Sequence, residues 1–417
     1  MCAAFWFFCL GGGQPTTLNM EKFMNRFFVL LFTLLMIGSV QLFAQNGNES
    51  GCSQVNSFFE SALKTYNLAA ISACIIKDNK LSWSNAFGYA DYDTGRKPSS
   101  STLFPQGSVS KTITASAVLK LWEAGKIKLN DDVNNYLPFS IRNPKFPDVP
   151  ITVRMLLTHL SSMSDRTQTG NRLSFLYGHE DNTTDLEKLI REFVTPGGKY
   201  YDDQNFTDDA PGTQYEYCNI AFSVLGLIVE RLSGQPFEDY CKANIFKPLK
   251  MDETTFLLSK TNLDNFAYNY SYDEQDSTFK KIQPFTWPGY MDGSLRTSIT
   301  EYSNFMIMLL NHGMFEGKQV FKEETVAEFL KPQHVPGMPP GRLAPNVDLS
   351  ITWSMMQLGD DIVYSHNGFG SGFFSMVYFC PDKKYGGMIS FTGQMKSFQD
   401  LGKMLRTGMG MMINGAN

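Results

Sequence analysis

The sequence predicts a mixed α/β chain of the α+β type, with an antiparallel sheet formed by the N- and C-terminal segments and a helical lobe drawn from the middle. Three observations point there. Strand-like alternation comes early, over Ala70–Ile76 and Leu81–Phe87; the period turns helical from Ser108; and strand character returns after Leu349.

Asp78, Asn79 and Lys80 make a turn between the first two runs, so these read as a hairpin. From Ser108, the apolar residues Val109, Ile113, Val118, Leu119 and Trp122 recur at helical spacing, and Gly125 supplies a C-terminal stop. Further helical stretches cover Val153–His159, Asp185–Phe193, Ile220–Leu232, which Gly234 stops, and Tyr302–Leu310. Long polar segments lie between them, notably Tyr200–Thr213. Strand runs over Ile362–Ser365, Phe373–Phe379 and Met388–Phe391 follow, the last two joined by a Pro381–Lys384 turn, and Phe398–Met412 reads as a closing helix. Residues 55–107 and 345–415 are therefore expected to form the sheet lobe and 108–344 the helical lobe of one domain spanning 55–415.

With 43% hydrophobic and only 18% charged residues, the 417-residue chain can bury a large core and is not a disordered one. A net charge of −5 offers no polybasic surface, which sets nucleic acid aside as a partner. Lys22 and Arg26 precede an apolar run from Phe27 to Ile37, interrupted only by Thr33, and Ala44 is a small residue suited to cleavage. Residues 20–44 thus read as a signal peptide and the protein as exported, periplasmic or secreted, with a membrane anchor as the alternative where the leader is uncleaved. Residues 1–19 carry no basic residue, and translation is expected to start at Met20. Five cysteines follow the leader, with no CxxC or Cys/His ligand spacing. They read as small buried hydrophobes rather than a zinc site.

Ser-x-x-Lys places an amine beside a hydroxyl on one helix face, where the amine can take the hydroxyl proton. Three matches occur: Ser61/Lys64, Ser108/Lys111 and Ser277/Lys280. Ser108 stands apart because Gly107 precedes it and an apolar-periodic helix follows, so its hydroxyl meets a helix N-terminus, which favours a developing anion. Tyr-x-Asn also recurs. Tyr217 and Asn219 share one side of an extended segment, where Asn219 is also a candidate N-cap, whereas Tyr302 and Asn304 fall inside a helix and read as its surface. On a late strand, His366-Asn367-Gly368 leads into Gly370 and Gly372, whose missing side chains would let a substrate lie against the backbone. Lys384-Tyr385-Gly386 reads instead as a hairpin tip, and His159, His179, His312 and His334 as satisfied core or surface residues.

These residues resemble, in order, the landmarks of the serine β-lactamase-related hydrolases, the group of class C β-lactamases, D-alanyl-D-alanine carboxypeptidases, D-aminopeptidases and related esterases. The resemblance runs from about Val55 to the C-terminus through Gly88-Tyr89-Ala90-Asp91, Thr102-Leu103-Phe104, Gly107–Lys111, Leu129–Val133, Tyr136-Leu137-Pro138, Leu156–Ser161 and Pro211-Gly212-Thr213. It implies a β-lactamase/transpeptidase-like fold and an acyl-enzyme on Ser108. Lys111 would help to remove the Ser108 proton, Tyr217 would shuttle it to the leaving group, and Asn219 would orient Lys111 and a substrate amide. His366 would take the electropositive place that lysine holds in class C enzymes, and the N–H groups of Ser108 and Phe369, beside Gly368, would receive the oxyanion. Neither a metal nor an organic cofactor is implied.

His-Asn-Gly in place of Lys-Thr-Gly argues against efficient β-lactam hydrolysis, because a neutral imidazole holds a carboxylate poorly. Ser390-Phe391-Thr392-Gly393 lacks the asparagine this group often carries there, and Ser164-Asp165-Arg166 approximates the Ser-Asp-Asn of class A enzymes but reads as a loop. The expected partner is a small-molecule or peptide substrate, peptidoglycan among the candidates: a D-amino-acid peptide, a cell-wall peptide or a small ester. The alternative is a penicillin-binding-like protein that captures peptidoglycan or peptides without turnover.

Overall fold

The computed structural model describes residues 48–165, 176–178, 180–333, 347–358 and 361–415. The leader, the residues before it, Arg166, His179 and His334 lie outside this set. Nine helices are labelled in chain order: α1 Asn48–Thr65, α2 Ser110–Glu123, α3 Val153–Leu157, α4 Leu186–Val194, α5 Asn219–Ser233, α6 Phe237–Cys241, α7 Ile299–Leu310, α8 Glu323–Leu330 and α9 Phe398–Gly415. The strands of the main sheet are β1 Leu68–Lys77, β2 Lys80–Gly88, β3 Val347–Leu349, β4 Ser354–Leu358, β5 Asp361–Gly370, β6 Phe373–Cys380 and β7 Tyr385–Gly393.

These seven strands form one antiparallel sheet in the order β3-β4-β5-β6-β7-β1-β2. Its early and late strands meet where β1 pairs with β7, from Lys77↔Tyr385 to Leu68↔Gly393, one strand in from the β2 edge. Asp78 and Asn79, both at positive φ, close the β1–β2 hairpin, the conformation such a two-residue turn requires. The predicted fold class is therefore the observed one. Five of the labelled elements were not foreseen: α1, whose moderate amphipathicity is masked by its many polar residues, the short helices α6 and α8, the edge strand β3 and its neighbour β4.

Side chains alternate between two faces. Ile71, Ala73, Ile75, Phe374, Met376, Tyr378, Ile389 and Phe391 point outward, where Val55 and Phe59 of α1 and Met404, Leu405 and Met409 of α9 cover them. Cys74, Ile76, Val377, Phe379 and Met388 point inward and join the core of the helical lobe. At the centre of that lobe runs α2, buried on every face from Ser110 to Leu119, as expected of a helix surrounded by protein. It packs on α5, whose end is capped by Gly234 in the left-handed conformation. The predicted helix Val153–His159 stops earlier, at Leu157, because His159 takes a φ of 56°.

Candidate active site

The site is assembled where the helical lobe meets the inner face of β5. Phe104–Pro105 pairs with Arg296–Thr297 and delivers the chain into a tight 3-10 turn, Gly107–Val109, which runs on into α2. Gly107 has a φ of 51°, and a Cβ on it would come within 2.8 Å of Phe369 N. A Cβ on Gly368 would come within 2.6 Å of Ser108 N. Two glycines therefore let the turn and β5 touch backbone to backbone, bringing the Ser108 and Phe369 segments together as the oxyanion expectation requires. The same contact corrects the reading of Gly368: its missing side chain makes room for the protein's own Gln106–Ser108 segment rather than for substrate. Gly372, likewise, sits against the backbone of Tyr270.

Lys111, one turn along from Ser108, is completely buried. Its Nζ donates to Asn219 Oδ1 and to the Asp292 carbonyl, both at 2.8 Å, and lies 3.2 Å from Ser108 Oγ. A neutral amine has two hydrogens and one lone pair. As an ammonium Lys111 donates to all three oxygens; once neutral, with Asn219 and Asp292 taking its two hydrogens, its lone pair would be left to the Ser108 hydroxyl. Burial lowers the Lys111 pKa from that of an ordinary lysine, opposed by the carboxyls of Asp292 and Asp165, so the environment eases formation of that neutral amine.

Tyr217 and Asn219 arrive on the far side of the same cavity. Cys218 between them is extended, at φ −142° and ψ 120°, so the two side chains share a direction. The Tyr217 hydroxyl hydrogen-bonds the Ser108 side chain, and burial pushes the phenol pKa well up, which keeps it a protonated phenol. The Tyr217 ring stacks on His159, with centroids 4.3 Å apart, and Lys111 Nζ lies 5.0 Å from the ring centroid. Asn219 is the first residue of α5 rather than its cap. The cap comes from another segment: Asp165 accepts the backbone N–H of Asn219 at 2.6 Å and that of Ile220 at 3.4 Å. The Asn219 carboxamide is engaged by Lys111 on one side and Asp165 on the other. The Asn219 side chain therefore fixes the direction of the Lys111 amine.

His366 lies on β5, half-buried, with Nδ1 2.9 Å from the Asn367 carbonyl and the edge of the Trp353 ring nearby. Burial, with the neighbouring Lys111 charge, pushes its pKa down to about 3. It is therefore a neutral imidazole at physiological pH, which overturns the electropositive role expected of it. Since β4 pairs with β5 only as far as Ser365, His366–Gly370 extends past its neighbour beside the Ser108 turn.

Several residues of the cluster were missed or misread from the sequence. His159 is a buried support for Tyr217, its Nδ1 accepting the Cys218 N–H at 3.2 Å while Nε2 has no hydrogen-bond partner among the described residues. Asp292 is buried, accepts from Ser223 Oγ at 3.0 Å, and has its pKa raised well above the carboxylate range by burial. Asp165, read as part of a loop, is the α5 cap. Only their convergence on Lys111 identifies them, and no local spacing announces it. The remaining candidates stay apart: Ser61 and Lys64 are exposed on α1, and Lys280 pairs with Asp276 at 2.7 Å on a hairpin. Tyr302 is inside α7 as expected but is fully buried, bonded to Thr112 at 2.7 Å, and is not a helix surface. Among the described residues no disulfide joins the five cysteines; four are buried and Cys52 is intermediate.

A family model described as Beta-lactamase matches residues 55–405. The chain is 26% identical over 237 residues to Protein flp of Staphylococcus aureus strain MRSA252, an alignment covering 56% of this chain and 44% of that protein. The chain thus spans less than half the length of the curated relatives it matches. Its fold is similar to that of D-amino acid amidase from Ochrobactrum anthropi SV3, with a TM-score of 0.68 at 18% identity, covering 88% of this chain and 98% of that one. EstCE1, described as a hydrolase with promiscuous acyltransferase activity, gives a TM-score of 0.69 at 17% identity, covering 89% and 99%. The chain belongs to the beta-lactamase family.

Proposed function

We propose that this family member is a serine hydrolase that forms an acyl-enzyme on Ser108 and hydrolyses an amide or an ester. The observation that carries the reading is the Lys111 environment: two hydrogens held at 2.8 Å by Asn219 and Asp292, and the third direction given to Ser108 Oγ at 3.2 Å. In the acylation step Ser108 Oγ bonds to the substrate carbonyl carbon as its proton passes to Lys111. Tyr217, protonated and hydrogen-bonded to Ser108, hands a proton to the leaving amine or alcohol as the scissile bond breaks and takes up the one that Lys111 received, so that both groups end acylation as they began it. The N–H groups of Ser108 and Phe369 receive the carbonyl oxygen as it gains charge. Water then cleaves the ester to Ser108, releasing the acid.

With His366 neutral, no second cation among the described residues of the cluster is assigned to hold a free carboxylate. This favours substrates whose reacting group lacks a neighbouring carboxylate, such as small esters and D-amino-acid amides, over β-lactams. Export is also proposed, on the basic residues Lys22 and Arg26 and the apolar run after them, with cell-wall peptides then within reach.

A fluorophosphonate probe should label wild type and leave Ser108→Ala unlabelled. Equal labelling of the two, or none of wild type, would sink the enzymatic reading in favour of a binding protein. On a panel of p-nitrophenyl esters, D-aminoacyl amides, D-alanyl peptides and nitrocefin, the esters or the D-amino-acid substrates should exceed nitrocefin.

A further inference from the structure

Gln106, two residues before Ser108, is completely buried, and nearly every polar group it carries is engaged. Its Nε2 donates to the carbonyls of Phe104 at 2.9 Å and Thr297 at 3.2 Å, and its Oε1 accepts from Ser390 Oγ at 3.2 Å. Its main-chain carbonyl accepts from Ser375 Oγ at 2.7 Å and from Val109 N at 3.2 Å, while its N–H donates to Leu295 O at 2.9 Å. A leucine would fill comparable space without desolvating an amide, so burial alone gives no reason for glutamine here. What the amide adds is direction.

Ser375 makes that direction significant. On β6 it stands opposite Gly368 in the β5–β6 ladder, and Phe374 beside it stands opposite Phe369. Its hydroxyl simultaneously holds the Gln106 carbonyl. One residue therefore touches both walls of the proposed oxyanion site: the strand that carries Phe369 N–H and the turn that carries Ser108 N–H. Ser390, on β7 and opposite Ser375, anchors the Gln106 side chain from the same face. The Gly107 and Gly368 contacts close the remaining gap between turn and strand.

We propose that Gln106, Ser375 and Ser390 form a positioning clamp that sets the spacing of the Ser108 and Phe369 N–H groups, so that they fit the tetrahedral intermediate better than the bound substrate. The inference rests on the acyl-enzyme reading above. None of the three side chains meets substrate; they act through the backbone of the turn. Misplacing one oxyanion donor costs about 10²- to 10³-fold in kcat when it is lost outright, so a loosened clamp should cost about 10- to 100-fold.

The test measures kcat and KM on a p-nitrophenyl ester, and the inhibition constant of phenylboronic acid, which forms a tetrahedral adduct with a reactive serine. Wild type is compared with Gln106→Leu, Ser375→Ala, Ser375→Thr and Ser390→Ala, each checked for a cooperative melt. Gln106→Leu and Ser375→Ala should lower kcat about 10- to 100-fold with KM within about twofold, and weaken phenylboronic acid by the same factor as kcat/KM. Ser390→Ala, one bond further from the turn, should do so less, and Ser375→Thr, which keeps the hydroxyl, should recover most of the loss. Should Gln106→Leu misfold, the two serine variants carry the test. Wild-type activity with unchanged kcat and unchanged boronic acid affinity in folded Ser375→Ala and Ser390→Ala overturns the clamp alone. A wild type that neither cleaves the ester nor binds the boronic acid overturns the acyl-enzyme reading, and the clamp with it.

Discussion

The two faces of the main sheet are built from the same strands, residue by alternate residue, yet they are held by different forces. On the outer face Ile71, Ile75, Met376, Ile389 and Phe391 meet α1 and α9 through apolar contact, which is non-directional and tolerant of small adjustments. Towards Ser108 the inner face turns polar: Ser375 and Ser390 bind Gln106, and beyond them Lys111, Asp165 and Asp292 lie buried together. Groups of that kind are costly to bury and are held in place by hydrogen bonds with fixed directions. One face secures the fold, and the other accepts a desolvation cost to aim a few atoms.

The sharpest way to break this contrast is to remove the amine. Lys111→Met should lower kcat on a reactive ester by about 10²- to 10⁴-fold, the range for loss of a positioned base. Residual phosphonate labelling of Ser108, followed with time, reports the same loss independently of substrate. An outer-face change should do the opposite. Phe391, buried and stacked on Phe374 with centroids 5.3 Å apart, contributes bulk rather than direction. Phe391→Ala should lower the unfolding free energy by about 3–5 kcal/mol in urea melts while kcat per folded molecule stays within about twofold. If kcat fell as far as it does in Lys111→Met, the two faces would not be separable.

The smallest expected effect is a movement of the pH profile. The rate should rise with pH as Lys111 loses its proton, and burial places that limb below the pKa of an ordinary lysine. Where Asp292 is ionised, which burial delays to pH values above the ordinary carboxylate range, it opposes the effect of burial on Lys111 by favouring the ammonium. Asp292→Asn removes that opposition, so the Lys111 pKa falls further and the rising limb of kcat/KM moves to lower pH. Phe391→Ala should leave the limb where it is. A shift towards higher pH in Asp292→Asn would contradict the electrostatic reading of the inner face.

What could be read from the sequence follows the distance along the chain over which each feature is built. Ser108 and Lys111 are three residues apart on one helical turn, and Tyr217 and Asn219 two apart on an extended segment, so each pair was visible as a spacing. His159 was not. Its neighbours in sequence place it after an apolar helix, and only the fold slides it beneath Tyr217. Asp165 and Asp292 approach Lys111 from separate loops, and Gln106 carries no spacing signal that would mark it. The misreading of Gly368 has the same origin: a glycine's missing side chain shows that something comes close, without showing what.

The amino-acid sequence by itself determined the α+β class, the hairpin closed by Asp78 and Asn79, the helix that follows Gly107 and Ser108, and the pairing of the early and late strands, because periodicity and turn chemistry are local and survive without a fold. The tertiary structure alone decided which polar groups share a buried space. That choice set the neutral state of His366, the opposing influences on Lys111 and the anchoring of Gln106 to β6 and β7, since desolvation and hydrogen-bond direction exist only once distant segments have excluded water between them.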